Sequence, residues 1–126
     1  NAIGGIMFIE AMKALNNDPQ TEVIVLISKP PDENVLEKIS AEIRKIEKPI
    51  VAIFIGAEPE IVKRAGAIPA ETLEQTALFA VSVSKNEKIE KISEFLQKRK
   101  KEITNLANSE IKGKTEKQKY LRGLFS

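Results

Sequence analysis

Lys48-Pro49-Ile50-Val51-Ala52-Ile53-Phe54-Ile55-Gly56 is the stretch whose reading fixes the fold of this chain. It is an apolar run too short for a buried helix, closed by a glycine and followed by Ala57-Glu58-Pro59-Glu60. A parallel strand covered by helices on both faces reads this way, whereas a half-wet strand alternates. The glycine lets the chain leave the strand's carboxyl end, where open α/β sheets bind their ligands. A second such run, Glu22-Val23-Ile24-Val25-Leu26-Ile27-Ser28-Lys29-Pro30-Pro31, argues against a lone hairpin or an all-helical chain. Between the two, Asp32 is a helix N-cap with Val35, Leu36, Ile39, Ile43 and Ile46 at helical spacing behind it. Lys38, Glu42, Arg44 and Lys45 make its wet face. Upstream, Ile6–Leu15 is apolar nearly all round, which predicts a helix wedged between the sheet and another layer. Asn16-Asn17-Asp18-Pro19 ends it. Helix, strand, helix, strand is a parallel βαβ unit with a right-handed crossover.

After Gly56 the pattern weakens. Pro59–Arg64 suits a short helix, and Ala65-Gly66-Ala67-Ile68-Pro69 a loop or a brief strand. Thr72 or Glu71 opens a further helix with Leu73, Ala77, Leu78 and Val81 inward. Asn86 caps a long amphipathic helix whose stripe is Ile89, Ile92, Leu96, Ile103 and Leu106, interrupted by Arg99 and Lys100. Such a stripe packs on the sheet or on a second copy of the chain. Gly113 breaks it, and Glu116–Phe125 suits a last short helix. The organisation expected is an α/β domain over residues 3–84 and a helical extension over 85–126, leading toward a following domain. The chain does not begin with Met and ends on Leu124-Phe125-Ser126, so it reads as a domain of a longer protein.

Composition removes several chemistries. There is no cysteine, hence no disulfide framework and no thiolate metal site, which fits a reducing cytoplasm. There is no histidine, so Ser-His and Cys-His pairs and an imidazole phosphoryl acceptor are absent from this chain. No apolar run reaches the ~20 residues that span a bilayer, and no signal peptide is visible. Acidic residues show no metal-ligand spacing, and no Walker loop or GxGxxG occurs. Residues 1–84 hold 8 Lys/Arg against 12 Asp/Glu, and residues 85–126 hold 12 against 6. The basic second part reads as a solvated helix face, since Phe95, Tyr120 and Phe125 are too sparse for a base-stacking platform. Neither a nucleic acid nor a membrane is expected as partner.

Ile3-Gly4-Gly5 at a helix start, Lys48-Pro49-Ile50-Val51 with Phe54-Ile55-Gly56, and Lys63-Arg64-Ala65-Gly66-Ala67-Ile68 occur here in order. This set resembles the flavodoxin-like ligase domain of the succinyl-CoA synthetase alpha subunit. It is more similar still to the FdrA-type acyl-CoA synthetases, through Gly4-Gly5-Ile6-Met7, Asp18-Pro19, Thr21–Pro31, Glu71-Thr72-Leu73-Glu74 and Tyr120–Ser126. The resemblance covers most of residues 3–84 and the last seven. It implies a three-layer flavodoxin-like domain in a longer enzyme, between a CoA-binding domain and a second flavodoxin-like domain. It also implies that the strand ahead of Gly4-Gly5 lies outside this sequence, leaving a sheet edge for the long helix or a partner chain to cover.

In the succinyl-CoA synthetase relatives the helix N-terminus at the Gly-Gly holds the phosphate of a phosphohistidine intermediate, which here points to Gly4, Gly5 and Ile6. Free N–H groups and the helix dipole attract an anion there. Glycines needed only for a tight turn or close packing would look the same in sequence. The phosphorylated histidine of those relatives would fall between Arg64 and Ala65, and this chain has none. The glutamate that partners it would fall at Ala2, which is not acidic. The phosphohistidine relay cannot run on this domain, and no catalytic residue is assigned. Lys63 and Arg64 would clamp a phosphate or carboxylate or lie on a solvated turn; Ser28, Lys29, Gly56 and Glu58 would line one cleft with the glycines or be ordinary loop residues.

Three functions follow from these readings. The first is the ligase-type domain of an acyl-CoA synthetase, holding a phosphorylated intermediate and binding no cofactor by itself, the parent using CoA and a nucleotide. The second is a domain of a carbamoyltransferase that handles carbamoyl phosphate in oxamate and allantoin metabolism, without a phosphohistidine. The third is a docking domain in which the long helix makes a homo-oligomer.

Overall fold

Every residue of Ile50–Phe54 is buried, as an uninterrupted apolar run between two helical layers requires. The computed structural model describes residues 2–112 and 114 of the chain. Its elements are α1 (Ala2–Asn17), β1 (Ile24–Ser28), α2 (Glu33–Ile43), β2 (Ile50–Phe54), α3 (Pro59–Ala65), β3 (Ile68–Pro69), α4 (Leu73–Ser84) and α5 (Ile89–Ile111). The sheet is parallel in the order β1-β2-β3, with Ile24 opposite Ile50, Ser28 opposite Phe54 and Val51 opposite Ile68. One face, from Ile24, Leu26, Ile50, Ala52 and Phe54, packs on Met12 of α1, Ile39 and Ile43 of α2, and Val62 of α3. The other face packs Val51 on Phe79 of α4, with Ile68, Ala80, Val83, Ile89 and Ile92 around it. The fold is therefore α/β, three-layered and flavodoxin-like, with a long C-terminal helix.

Helix boundaries follow local chemistry. Asp32 caps α2 by accepting the Val35 N–H at 3.0 Å, and Pro59 occupies the first turn of α3. Thr72 caps α4 by accepting the Gln75 N–H at 3.0 Å, and the Gln75 side chain accepts the Glu71 N–H at 2.6 Å. The last turn of α1 is closed from a distance: the Lys48 ammonium donates to the Leu15 carbonyl at 2.8 Å and also to that of Asp18. This holds the carboxyl end of α1 beside the start of β2. The first turns of α1, α2 and α3 accordingly lie at the carboxyl edge of the sheet.

Several expectations are corrected. β1 is not covered on both faces like β2: Val25 and Ile27 are 40% and 50% exposed, since α4 meets the second face chiefly at β2. α4 is rotated from its expected face. Leu73 and Val81 are exposed, while Thr76, Phe79 and Ser82 are buried. The helix is apolar on two sides, and Thr76 tolerates burial because its hydroxyl donates to the Thr72 carbonyl at 2.8 Å. Asn86 does not cap α5; with φ 55 it is the left-handed residue that follows α4. Ile6 and Met7 are exposed, so α1 is covered on one side only. Glu42, expected on the wet face, is tucked in, its side chain 12% exposed and paired with Lys45 at 3.1 Å.

The chain forms two compact units, residues 1–93 and 94–126. The first carries the sheet and the opening turn of α5. In the second, α5 continues to Ile111 with Phe95, Ile103, Leu106 and Ile111 all more than half exposed. The break expected at Gly113 and the helix expected over Glu116–Phe125 lie outside the described residues.

Candidate anion cleft at the carboxyl edge of the sheet

α1 starts at Ala2, so Gly4 and Gly5 lie inside its first turn rather than ahead of it. Gly5 is buried, and a Cβ there would stand 2.9 Å from Val35 Cγ1. Close packing of α1 on α2 therefore accounts for glycine at this position. Beside it opens a cleft of ≈ 250 Å³ lined by Gly5, Phe8, Ser28, Lys29, Asp32 and Val35, among others. Three elements make it: the first turn of α1, the carboxyl end of β1, and the loop through Pro30-Pro31 into α2. Its size suits a phosphate or a small acyl phosphate better than a nucleotide or CoA.

Electrostatics differ among the helix ends. α2, α3, α4 and α5 each carry an acidic residue in the first turn: Glu33, Glu60, Glu74 and Glu90. α1 carries none. Its early N–H groups and dipole are thus answered by no carboxylate of its own first turn. Lys29 is the cation on the cleft, whereas Asp32 brings a negative charge to the same wall. The Ser28 hydroxyl donates to the Lys29 carbonyl at 2.8 Å and must rotate to donate to a ligand. Ile6 lies on the adjoining groove between α1 and α2, with Gly5, Asn34 and Lys38.

The remaining candidates fall elsewhere. Gly56, at φ 89, takes a turn that other residues rarely adopt. With Glu58, Glu60 and Glu71 it lines a separate hollow of ≈ 560 Å³ beyond β2 and β3. That hollow is acidic and unsuited to an anion. Lys63 and Arg64 sit in the last turn of α3, at the opposite end of the helix from the carboxyl edge. There Lys63 faces Glu60 at 3.8 Å and the Arg64 carbonyl accepts from Arg44 at 3.4 Å. The structure does not bring this basic pair to the cleft. A helix running antiparallel to the strands puts its two ends at opposite edges, a constraint that adjacency in sequence conceals. The sequence reading missed Asp32 and Val35 as cleft walls, although the capping signal at Asp32 already placed that turn after β1. Among the described residues no group of acidic side chains is arranged to hold a metal ion, and no helix is long and apolar enough to cross a membrane.

The chain has a relative among known proteins. The chain is 35% identical over 126 residues to the uncharacterized protein YahF of Escherichia coli (strain K12), a match covering 98% of this chain. The same match covers 23% of YahF, so the chain spans about a quarter of that relative's length. No family model matches the sequence. No solved structure matches it either.

Proposed function

We propose that this chain is the ligase-type domain of an FdrA-like acyl-CoA synthetase, and that it holds a phosphate-bearing intermediate at the first turn of α1. The observation that carries the proposal is the α1 terminus. It alone among the five described helices lacks an acidic first turn, and it opens beside Lys29 on a cleft of phosphate size. The ordered motifs shared with that family supply the reaction class. The domain's share of the work is binding: early N–H groups of α1 and the Lys29 ammonium receive the anion. CoA and nucleotide sites belong to other parts of a longer cytoplasmic enzyme, and this chain has no histidine to carry a phosphoryl group.

A second reading is favoured by the lack of histidine. A carbamoyltransferase would use the same cleft for carbamoyl phosphate and need no enzyme-bound phosphate. Titration with phosphate, acetyl phosphate, carbamoyl phosphate and CoA, followed by amide NMR, separates the two. The expected result is a saturable response to acetyl phosphate at Gly4, Gly5 and Lys29, weakened several-fold by Lys29→Gln. A response to carbamoyl phosphate alone would replace the first reading with the second. Silence toward every phosphorylated ligand, with the chain folded, would remove both.

The same reading gives the exposed stripe of α5 to a homo-oligomer. Sedimentation should find self-association that Leu106→Lys abolishes without moving the melting temperature. A monomer at high concentration would refute it.

A further inference from the structure

α5 is long, and none of its residues is buried. In the second unit it carries Ile103 and Leu106 on one face, 57% and 62% exposed. Two opposite charges lie on that same face. Arg99 stands four residues before Ile103, and Glu110 stands four residues after Leu106. Spacings of four, three and four keep these residues on one seam, the successive a and d positions of a coiled coil. The helical rise puts Arg99 and Glu110 about 16 Å apart, too far to meet within one helix. From amino to carboxyl end the seam is thus positive, apolar, apolar, negative. Reversed, it is the same series with its charges exchanged.

Each candidate cover meets these charges differently. A bilayer surface that took up Ile103 and Leu106 would also draw in Arg99 and Glu110 from the middle of the face. An acidic helix of another protein would suit Arg99 and the neighbouring Lys98, Lys100 and Lys101, but would be repelled at Glu110. A second α5 laid parallel and in register sets Arg99 against Arg99 and Glu110 against Glu110. Laid antiparallel, with a two-fold axis between Thr104 and Asn105, it sets Ile103 of each copy on Leu106 of the other. The same arrangement sets Arg99 of each copy on Glu110 of the other. A two-fold interface requires this reciprocity of contacts. The flanks agree: Lys100 would lie beside Ala107 of the second copy and Glu102 beside its Ser109, so like charges stay apart. Sliding the pair one heptad toward the amino end would bring Lys100 beside the second copy's Lys100 and set Arg99 against its Ile103.

We propose that α5 pairs antiparallel with α5 of a second copy, about an axis between Thr104 and Asn105, through reciprocal Arg99–Glu110 and Ile103–Leu106 contacts. This rests on the assignment of the stripe to a homo-oligomer above, and adds the direction and register of the pair. Charged residues in an apolar seam weaken association and fix its alignment, which gives Arg99 and Glu110 their place in the stripe. The interface is small, two apolar layers closed at each end by an ion pair. The dimer therefore exchanges with monomer and weakens in salt.

Charge reversal tests it, read by sedimentation equilibrium of residues 1–126. Arg99→Glu puts two like-charged pairs into the interface, as does Glu110→Arg, and each should weaken the dimer at least about tenfold. Arg99→Glu with Glu110→Arg rebuilds both pairs and should return the dissociation constant to within about threefold of the original. Mixing the two single variants should likewise yield a heterodimer. Circular dichroism, with equal helix content expected in every variant, separates a lost interface from a lost helix. A dimer indifferent to either reversal, or a double variant no better than the single ones, would overturn this pairing and leave the homo-oligomer standing. A monomer at every concentration would overturn both. A monomer that binds vesicles containing phosphatidylglycerol would give the stripe to a membrane surface instead. None of these outcomes bears on the anion cleft, which the phosphate titration tests separately.

Discussion

Substitution tests why residue 5 is a glycine. Its missing Cβ is what lets Val35 approach, since a methyl there would meet Val35 Cγ1 at 2.9 Å. Overpacking of this kind costs about 1–3 kcal/mol, against a helix-propensity gain of up to ~1 kcal/mol for alanine over glycine. Gly5→Ala should therefore lower stability in chemical denaturation, and Gly5→Ala with Val35→Ala should recover most of the loss. If the double variant is no better than the single one, the glycine is there for another reason. Asp18 offers a second residue-scale test. Donation from the Thr21 hydroxyl at 2.6 Å, then from the Gln20 N–H at 3.1 Å, holds its carboxyl below the usual carboxylate range. A group lowered on folding stabilises above its unfolded pKa, and that contribution is lost as pH falls through the folded value. Asp18→Asn should thus lower stability at neutral pH and flatten the acid limb of the stability–pH curve. An unchanged acid limb would show that the turn's charge is irrelevant.

Elements differ in how openly their sequences declare them. β2 was legible because an unbroken apolar run has one reading when both faces are covered, and all five of its residues are buried. β1 has a similar run but a different situation, since Val25 and Ile27 want a cover that the described residues do not supply. Composition reports what a strand would like to bury, not what is present to bury it. The existence of α4 was legible from Thr72, but its facing was not. Leu73, Leu78 and Val81 advertise one side, whereas Thr76 and Ser82 look wet and are buried. The cleft was half legible: glycine and lysine after strands pointed to the carboxyl edge, while the run Lys63-Arg64 misled because sequence does not show which end of a helix a residue reaches. Facing in α4 is measurable. Phe79→Ala should cost about 3–5 kcal/mol, and Val81→Ala under ~1 kcal/mol. Equal costs would mean that the helix is rolled from the orientation described.

At the scale of the whole molecule, charge and cover are unevenly shared. The sheet-bearing part is acidic and the α5 end basic, 8 Lys/Arg against 12 Asp/Glu over residues 1–84 and 12 against 6 beyond. The core of the first unit is one-sided along β1, and a molecule so built is defined as much by its unmade contacts as by those it makes. The open strand is also a colloidal hazard. Val23–Ser28 is a short, largely β-branched, uncharged segment whose outer edge pairs with no other strand among the described residues, the pattern that seeds cross-β stacking when chains collide. Heating residues 1–126 should consequently end in irreversible turbidity, with an apparent transition temperature that drifts with scan rate and falls with concentration. Ile27→Lys, a gatekeeper charge on the exposed face, should restore reversible melting. A clear, reversible, concentration-independent melt of the unsubstituted chain would mean that the edge is harmless. Otherwise the shelf life of the isolated domain is set by five residues of backbone.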